Sequence, residues 1–214
     1  YNDVNIGFTN VQFRYTAIAN PDLQPETSDG VELGVRYAGK AADASLSGYY
    51  NRYDDFIESM RFIGYNDDGL MVYQSQNISE AQIHGVEFKA GLDIGALSDA
   101  WHGWSLRGAA AWSRGEDRSA DTPLDSVDPL TATLGLAYDA PSWGAKLAGR
   151  FVDRRRRVSD PAYYRQPGYG VLDLYAHWNF APGARLNVGV FNLGDLTYIE
   201  AGDITLVLDT STTL

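Results

Sequence analysis

Long runs of strict alternation between apolar and polar side chains constrain this chain more than any other feature. Between Gly170 and Phe180, Leu172, Leu174, Ala176, Trp178 and Phe180 share one parity, and Asp173, Tyr175, His177 and Asn179 share the other. A period of two belongs to a β-strand, not to a helix. The pattern recurs in Leu130, Ala132, Leu134, Leu136 and Tyr138, and in Val31, Leu33, Val35 and Tyr37. It recurs again in Val86, Phe88, Ala90 and Leu92, and in Leu106, Ala110 and Trp112. The spacing predicts about eight strands. They run over Thr27 to Ala38, Ala42 to Arg61, Leu70 to Ile94, Gly103 to Arg114, Val127 to Asp139, Trp143 to Asp153, Gly168 to Phe180 and Arg185 to Tyr198. The fold class is all-β and antiparallel.

Alternation alone does not say whether the apolar side meets a second sheet or a bilayer. Strand length favours the bilayer, because most of these segments meet or exceed the ~9–11 residues that a tilted strand needs to cross hydrocarbon. Connections at Gly39 to Ala41, Ala140 to Ser142 and Ala181 to Ala184 are tight, whereas Phe62 to Gly69, Gly115 to Ser126 and Arg154 to Pro167 are long and polar. Tyr37, Trp101, Trp104, Tyr138, Trp143, Trp178 and Phe180 all lie beside the short turns, where an aromatic girdle would sit; Tyr50, Trp112 and Phe151 serve the other end. The reading is therefore a transmembrane β-barrel wall. With the short turns periplasmic, both chain ends fall outside, so at least one strand is expected before Tyr1 and one after Leu214.

Composition removes several functions. A net charge of −11 argues against nucleic acid as a partner, and the lack of Cys removes thiol nucleophiles and zinc–cysteine sites. His84, His102 and His177 are too scattered for a metal cluster. His177 and Asp173 share a face but lie ~13 Å apart along a strand, too far for a general-base pair. No catalytic set and no metal site is expected.

The stretch from Asn20 to Tyr37, NPDLQPETSDGVELGVRY, resembles the NPNL-type box of TonB-dependent outer-membrane receptors, read as Asn20, Pro21, Asp22, Leu23, Pro25 and Glu26. GYYNRYDDFI (Gly48 to Ile57), QNISEAQIHGVEFKAGL (Gln76 to Leu92), YRQPGYGVLDLYAHW (Tyr164 to Trp178) and LNVGVFNLGDLTYIE (Leu186 to Glu200) resemble, in order, the C-terminal half of those receptors. The resemblance implies part of a barrel of about 22 strands. It also implies a plug and a TonB box outside this chain, and uptake of a scarce ligand driven by the TonB complex of the inner membrane. Residues 1–214 are then the C-terminal portion of the barrel domain, without the plug and the last strand, in the outer membrane of a Gram-negative bacterium. The wording around residues 7–30 looks most like haem and haemoprotein receptors, so the ligand implied is haem or another iron complex, with siderophores as the alternative. Haem would be cargo, not a resident cofactor.

Candidate contacts follow. Phe13 and Tyr15 offer a platform for a planar macrocycle, or pack the loop; Tyr15 is also a phenol able to ligate haem iron. The run Arg154 to Arg157, beside Tyr163 and Tyr164, places Arg154 and Arg155 where guanidinium groups clamp a carboxylate or phosphate of the ligand, or meet lipopolysaccharide phosphates. In the box, Pro21 and Pro25 fix φ and shape the descent from an outer loop into the wall.

Overall fold

The computed structural model describes residues 7–200; Tyr1 and Leu214, from which the further strands were reckoned, lie outside them. Eleven strands form one sheet. They are β1 (Phe8–Asn10), β2 (Tyr15–Ile18), β3 (Thr27–Ala38), β4 (Ala42–Tyr65), β5 (Met71–Asp93), β6 (Trp104–Asp117), β7 (Thr122–Pro123), β8 (Thr131–Asp139), β9 (Trp143–Val152), β10 (Tyr169–Ala181) and β11 (Ala184–Val190). The eight long strands pair in chain order, β3-β4-β5-β6-β8-β9-β10-β11, each antiparallel to the next. Among the described residues this wall is open, with β3 and β11 as its edges. A single 3-10 turn, Asp99–Trp101, lies in the connection from β5 to β6. Tight turns close the hairpins at one end: Gly39 donates to the Ala42 carbonyl, Ala140 donates to that of Trp143, and Gly183 (φ 76°) follows Pro182 between β10 and β11.

Register shows that the alternating residues share one surface. Phe88 faces Ala110, Ala110 faces Ala132, and Ala132 faces Phe151; Leu106 faces Leu136, Leu136 faces Leu147, and Leu147 faces Leu174. No second layer covers that surface among the described residues: Leu33 is 81% exposed, and Val35, Leu134, Leu172, Trp178 and Val188 are exposed as well. An apolar face of this extent left bare is what a bilayer covers. At the short-turn end Trp101, Trp104, Tyr138 and Trp143 form a chain of ring contacts with centroids 6.2, 5.2 and 5.0 Å apart, and Trp178 pairs with Trp143. At the other end Tyr50 stacks on His84 at 6.2 Å, and Trp112 lies edge-on to His84 at 5.9 Å. Trp104 and Trp112 bracket the band; eight residues of strand span about 27 Å, or about 20 Å high at the usual ~40° tilt, close to the ~25 Å expected.

The opposite surface is wet. Glu87, Lys89, Arg107, Lys146, Arg150 and Asp173 lie on it, with an Arg107–Asp43 ion pair at 2.6 Å. His177 faces Asp139 at 3.9 Å, and Asp173 accepts from the Asn192 backbone instead, so these two groups are structural neighbours of other residues, not of each other.

Several boundaries differ from expectation. The last strand stops at Val190, not Tyr198, because Asn192 and Asp195 take positive φ and the Asn192 side chain bonds both the N–H and the carbonyl of Leu196. β8 starts at Thr131, not Val127, since Val127 turns back to the Leu124 carbonyl and Pro129 has no N–H to pair. β4 runs on to Tyr65 and β6 to Asp117, so the predicted loop at Phe62 to Gly69 shrinks to the tip of a long hairpin. The stretch before Thr27 contributes β1 and β2, and β2 lies parallel to the outer end of β5, the one parallel pair among the described strands.

Candidate functional site

The apolar band ends near Tyr50 on β4 and Val86 on β5, so the outer halves of this hairpin stand beyond the hydrocarbon. There the loops collect. Leu124 packs on Ile78 and Ala81 in the buried cluster of this end, with Tyr53, Phe56, Ile83 and Val127 around it. Arg155, 8% exposed, reaches back from the β9–β10 loop to donate to the carbonyls of Asp125 and Val127. Ser159 donates its backbone N–H to Asp125 at 2.9 Å and its hydroxyl to the same carboxylate. The loops after β6 and β9 are thereby tied together and folded against the hairpin.

Tyr73 is the hub of the cap. It is 1% exposed, packs edge-on against Tyr15 at 5.9 Å and tilted against Phe62 at 5.6 Å, and its hydroxyl donates to the Met71 sulfur. Phe8 lies edge-on to Tyr15 on the far side. Burial pushes the Tyr73 phenol up to about 12, with neighbouring phenols of Tyr163, Tyr65 and Tyr15 adding to the shift. Tyr163 is raised too, by burial first and then by Asp125 and Asp160. Both phenols are thus held neutral, which suits them to packing and donating hydrogen bonds, not to anionic ligation.

Next to Tyr163 is a small acidic chamber lined by Glu58, Ser59, Met60, Arg61, Asp117, Thr122, Asp125 and Ser159. Glu58 accepts from the Asp125 N–H at 3.2 Å, and burial, followed by repulsion from Asp125, raises its carboxyl. Asp117 is spent on the turn after β6, taking the N–H groups of Ser119 and Ala120 and the Ser119 hydroxyl.

Of the residues expected to touch ligand, the structure brings Tyr15 and Tyr163 to Tyr73. Phe13 stands apart, exposed at a turn closed by its own N–H on the Asn10 side chain. Arg155 is an internal brace, and Arg154 lies across the loop, in a groove with Trp112 and Leu130. Tyr164 is half-buried in the same loop as Tyr163. The box residues splice the descending segment onto the hairpin. Asn20 donates to the Ser75 carbonyl and accepts from Asp22; Leu23 N–H bonds the Asn20 carbonyl; Glu26 accepts from Ile57; Gln24 and Asn77 exchange two bonds. Pro21 and Pro25 flank these contacts on the surface. Tyr73 and Glu58 were missed in the sequence because alternation beyond the band no longer sorts lipid from water.

Comparison with known proteins places this geometry. The chain matches the family model described as "TonB dependent receptor-like, beta-barrel" over residues 1–193. It is 30% identical to the Hemoglobin-haptoglobin utilization protein B of Neisseria meningitidis, over 84% of this chain and 26% of the relative. It is 26% identical to the Vitamin B12 transporter BtuB of Vibrio vulnificus, over 85% of this chain and 27% of that protein. Among solved structures, the copper transporter OprC superposes with a TM-score of 0.75 at 26% identity, covering 87% of this chain and 28% of that one. The chain spans about a quarter of the length of the curated relatives it matches.

Proposed function

We infer function from one premise: this chain belongs to the TonB-dependent receptor β-barrel family. The members of that family are outer-membrane transport receptors of Gram-negative bacteria, not enzymes, and they include haemoglobin-related and siderophore receptors. For this chain we read a stretch of barrel wall in a receptor that imports haem iron, taken from a haemoprotein, with the TonB complex supplying energy through a plug.

The observation that carries the reading is the cap at the long-loop end. Two loops and a protruding hairpin gather there, and on the packed rings of Tyr15, Tyr73 and Phe62 stand the exposed rings of Phe8 and Tyr65, a surface that suits a planar macrocycle better than it suits a small hydrophilic chelate. The name of the relative at 30% identity supports the same choice. Siderophore, cobalamin or copper uptake is the alternative, and one experiment separates them. The full-length receptor, expressed in a haem-auxotrophic, siderophore-deficient host, should support growth on haemoglobin as iron source, and the purified receptor should shift the Soret band of added haem. Growth on ferric siderophore or response to cobalamin or copper, without either haem result, overturns the ligand.

A further inference from the structure

The wet face of the wall holds a carboxylate site that the cap does not use. Arg150 lies on that face of β9, paired in register with Thr133 on one side and Val171 on the other. Its guanidinium donates to the Glu200 carboxylate at 2.7 Å and stands 5.7 and 5.9 Å from the ring centres of Tyr169 and Tyr198, which stack on each other at 4.6 Å. A guanidinium steadied by a pair of rings and aimed at a carboxylate is a built receptor for such a group. Its present occupant is the chain's own. Glu200 comes from 50 residues farther along, at the end of a segment that has left the sheet.

That segment crosses the wall as a strap. After β11 the Asn192 N–H bonds the Asp173 carboxylate and the Leu193 N–H bonds the Leu172 carbonyl, both on β10; Tyr198 then reaches Tyr169 at the start of β10, and Glu200 reaches β9. Val171, on the face between Asp173 and Tyr169, is 7% exposed. The strap is lightly held. Phe191, Leu193, Leu196 and Ile199 are each 40% exposed or more, and the side chains of Arg150 and Glu200 both meet solvent, at 39% and 52%. A pair so open to water exchanges for another carboxylate at little cost.

Beside the pair, toward the short turns, the wet face is hollow. Arg150, Asp173, Arg107 and Lys146 stand around a cavity of about 520 Å³, floored by Ala109, Gly135 and Ala148. The Lys146 stem lies over Gly135, where a side chain would meet it at 3.1 Å, so its ammonium leans from the row of Ala137 toward the row of Arg150. Arg107 is taken by Asp43, whereas Lys146 forms no ion pair among the described residues. An anion that enters the hollow meets one free cation and one held by a replaceable partner.

We propose that Arg150 is an exchange site: at rest it holds Glu200 and keeps the strap down, and a carboxylate of the cargo displaces Glu200, pairs with Arg150 and frees the strap. The proposal rests on the reading of haem as cargo, whose two propionates supply one carboxylate for Arg150 and one for Lys146. The exchange trades one charge-assisted pair for another, and the added contact to Lys146 sets its direction.

The test uses the full-length receptor in detergent, hydrogen–deuterium exchange over residues 191–200 read by mass spectrometry, and two probes, haem and its dimethyl ester, whose propionates carry no charge. Haem should speed exchange in the strap several-fold; the ester, although it shifts its Soret band on binding as haem does, should leave the strap unchanged. E200Q should give fast exchange without any probe and bind haem up to about fivefold more tightly, since the competing carboxylate is gone. R150Q should also give fast exchange, to which haem adds nothing. Slow exchange in E200Q, no response of the wild type to haem, or an equal response to haem and ester overturns the proposal. A Soret shift with an unmoved strap removes the exchange site alone; no Soret shift with either probe removes the haem reading along with it. E200Q carries the test even where R150Q fails to give the heat-modifiable band of an assembled barrel.

Discussion

At the scale of the residue, Tyr73 and Glu58 decide how the cap holds. Tyr73→Ala removes the ring on which Tyr15 and Phe62 rest and should cost about 3–5 kcal/mol of local stability, in the range for buried aromatic truncations. Amide exchange in Tyr15–Ile18 and in the outer part of the hairpin should speed up while the wall residues stay protected. Glu58 acts in the opposite sense to a paired surface acid. Its folded carboxyl holds a proton more tightly than the free side chain, because burial and Asp125 disfavour the charge, with Arg61 opposing and Asp117 adding to the effect. The cap is therefore tightest in acid, below the ordinary glutamate range, and loosens as pH rises through the raised value. Protease nicking of the loop after β6 should increase across that interval in the wild type and lose its pH dependence in Glu58→Gln, whose amide oxygen still accepts the Asp125 N–H.

At the scale of the element, each long strand carries two solvents on its two faces. Leu134→Arg puts a charge at the middle of the lipid face and should cost about 2–4 kcal/mol, lowering the heat-modifiable fraction of the full-length receptor. Thr133→Glu, one residue away but on the wet side opposite Arg150, should assemble normally. Strand positions within the band were legible in the sequence for the same reason: Val31 to Tyr37 and Leu172 to Phe180 repeat with the period that two unlike solvents impose. Outside the band that rule lapses. Nothing in the alternation of Met71 to Ile83 shows that Tyr73 is covered by Tyr15, a residue from far earlier in the chain, or that β2 joins there in parallel. Of the candidate contacts, Tyr15 packs on Tyr73 and Tyr163 lies near enough to influence its phenol, whereas Arg155 donates to backbone carbonyls, a contact that no side-chain pattern reveals.

At the scale of the whole molecule, the wall and the cap divide the work. The wall presents lipid-facing rings at two heights and a charged opposite face, the arrangement that lets a barrel wall stand in a bilayer. The cap ties the long connections after β6 and β9 to each other and against the outer hairpin. One part breaks this compactness. β4 and β5 are 24 and 23 residues long, about twice what crossing requires, and from Arg52 to Tyr65 the strand extends about 40 Å farther. Its pairing slips between Glu58 and Arg61 and again between Phe62 and Gly64, with Met60 and Gly64 at positive φ, and such irregularities bend a strand. Mechanically this is a mast with an elbow. A sideways load on the Asn66–Leu70 tip bends the chain at these slips before it strains the evenly registered seams of the wall beneath.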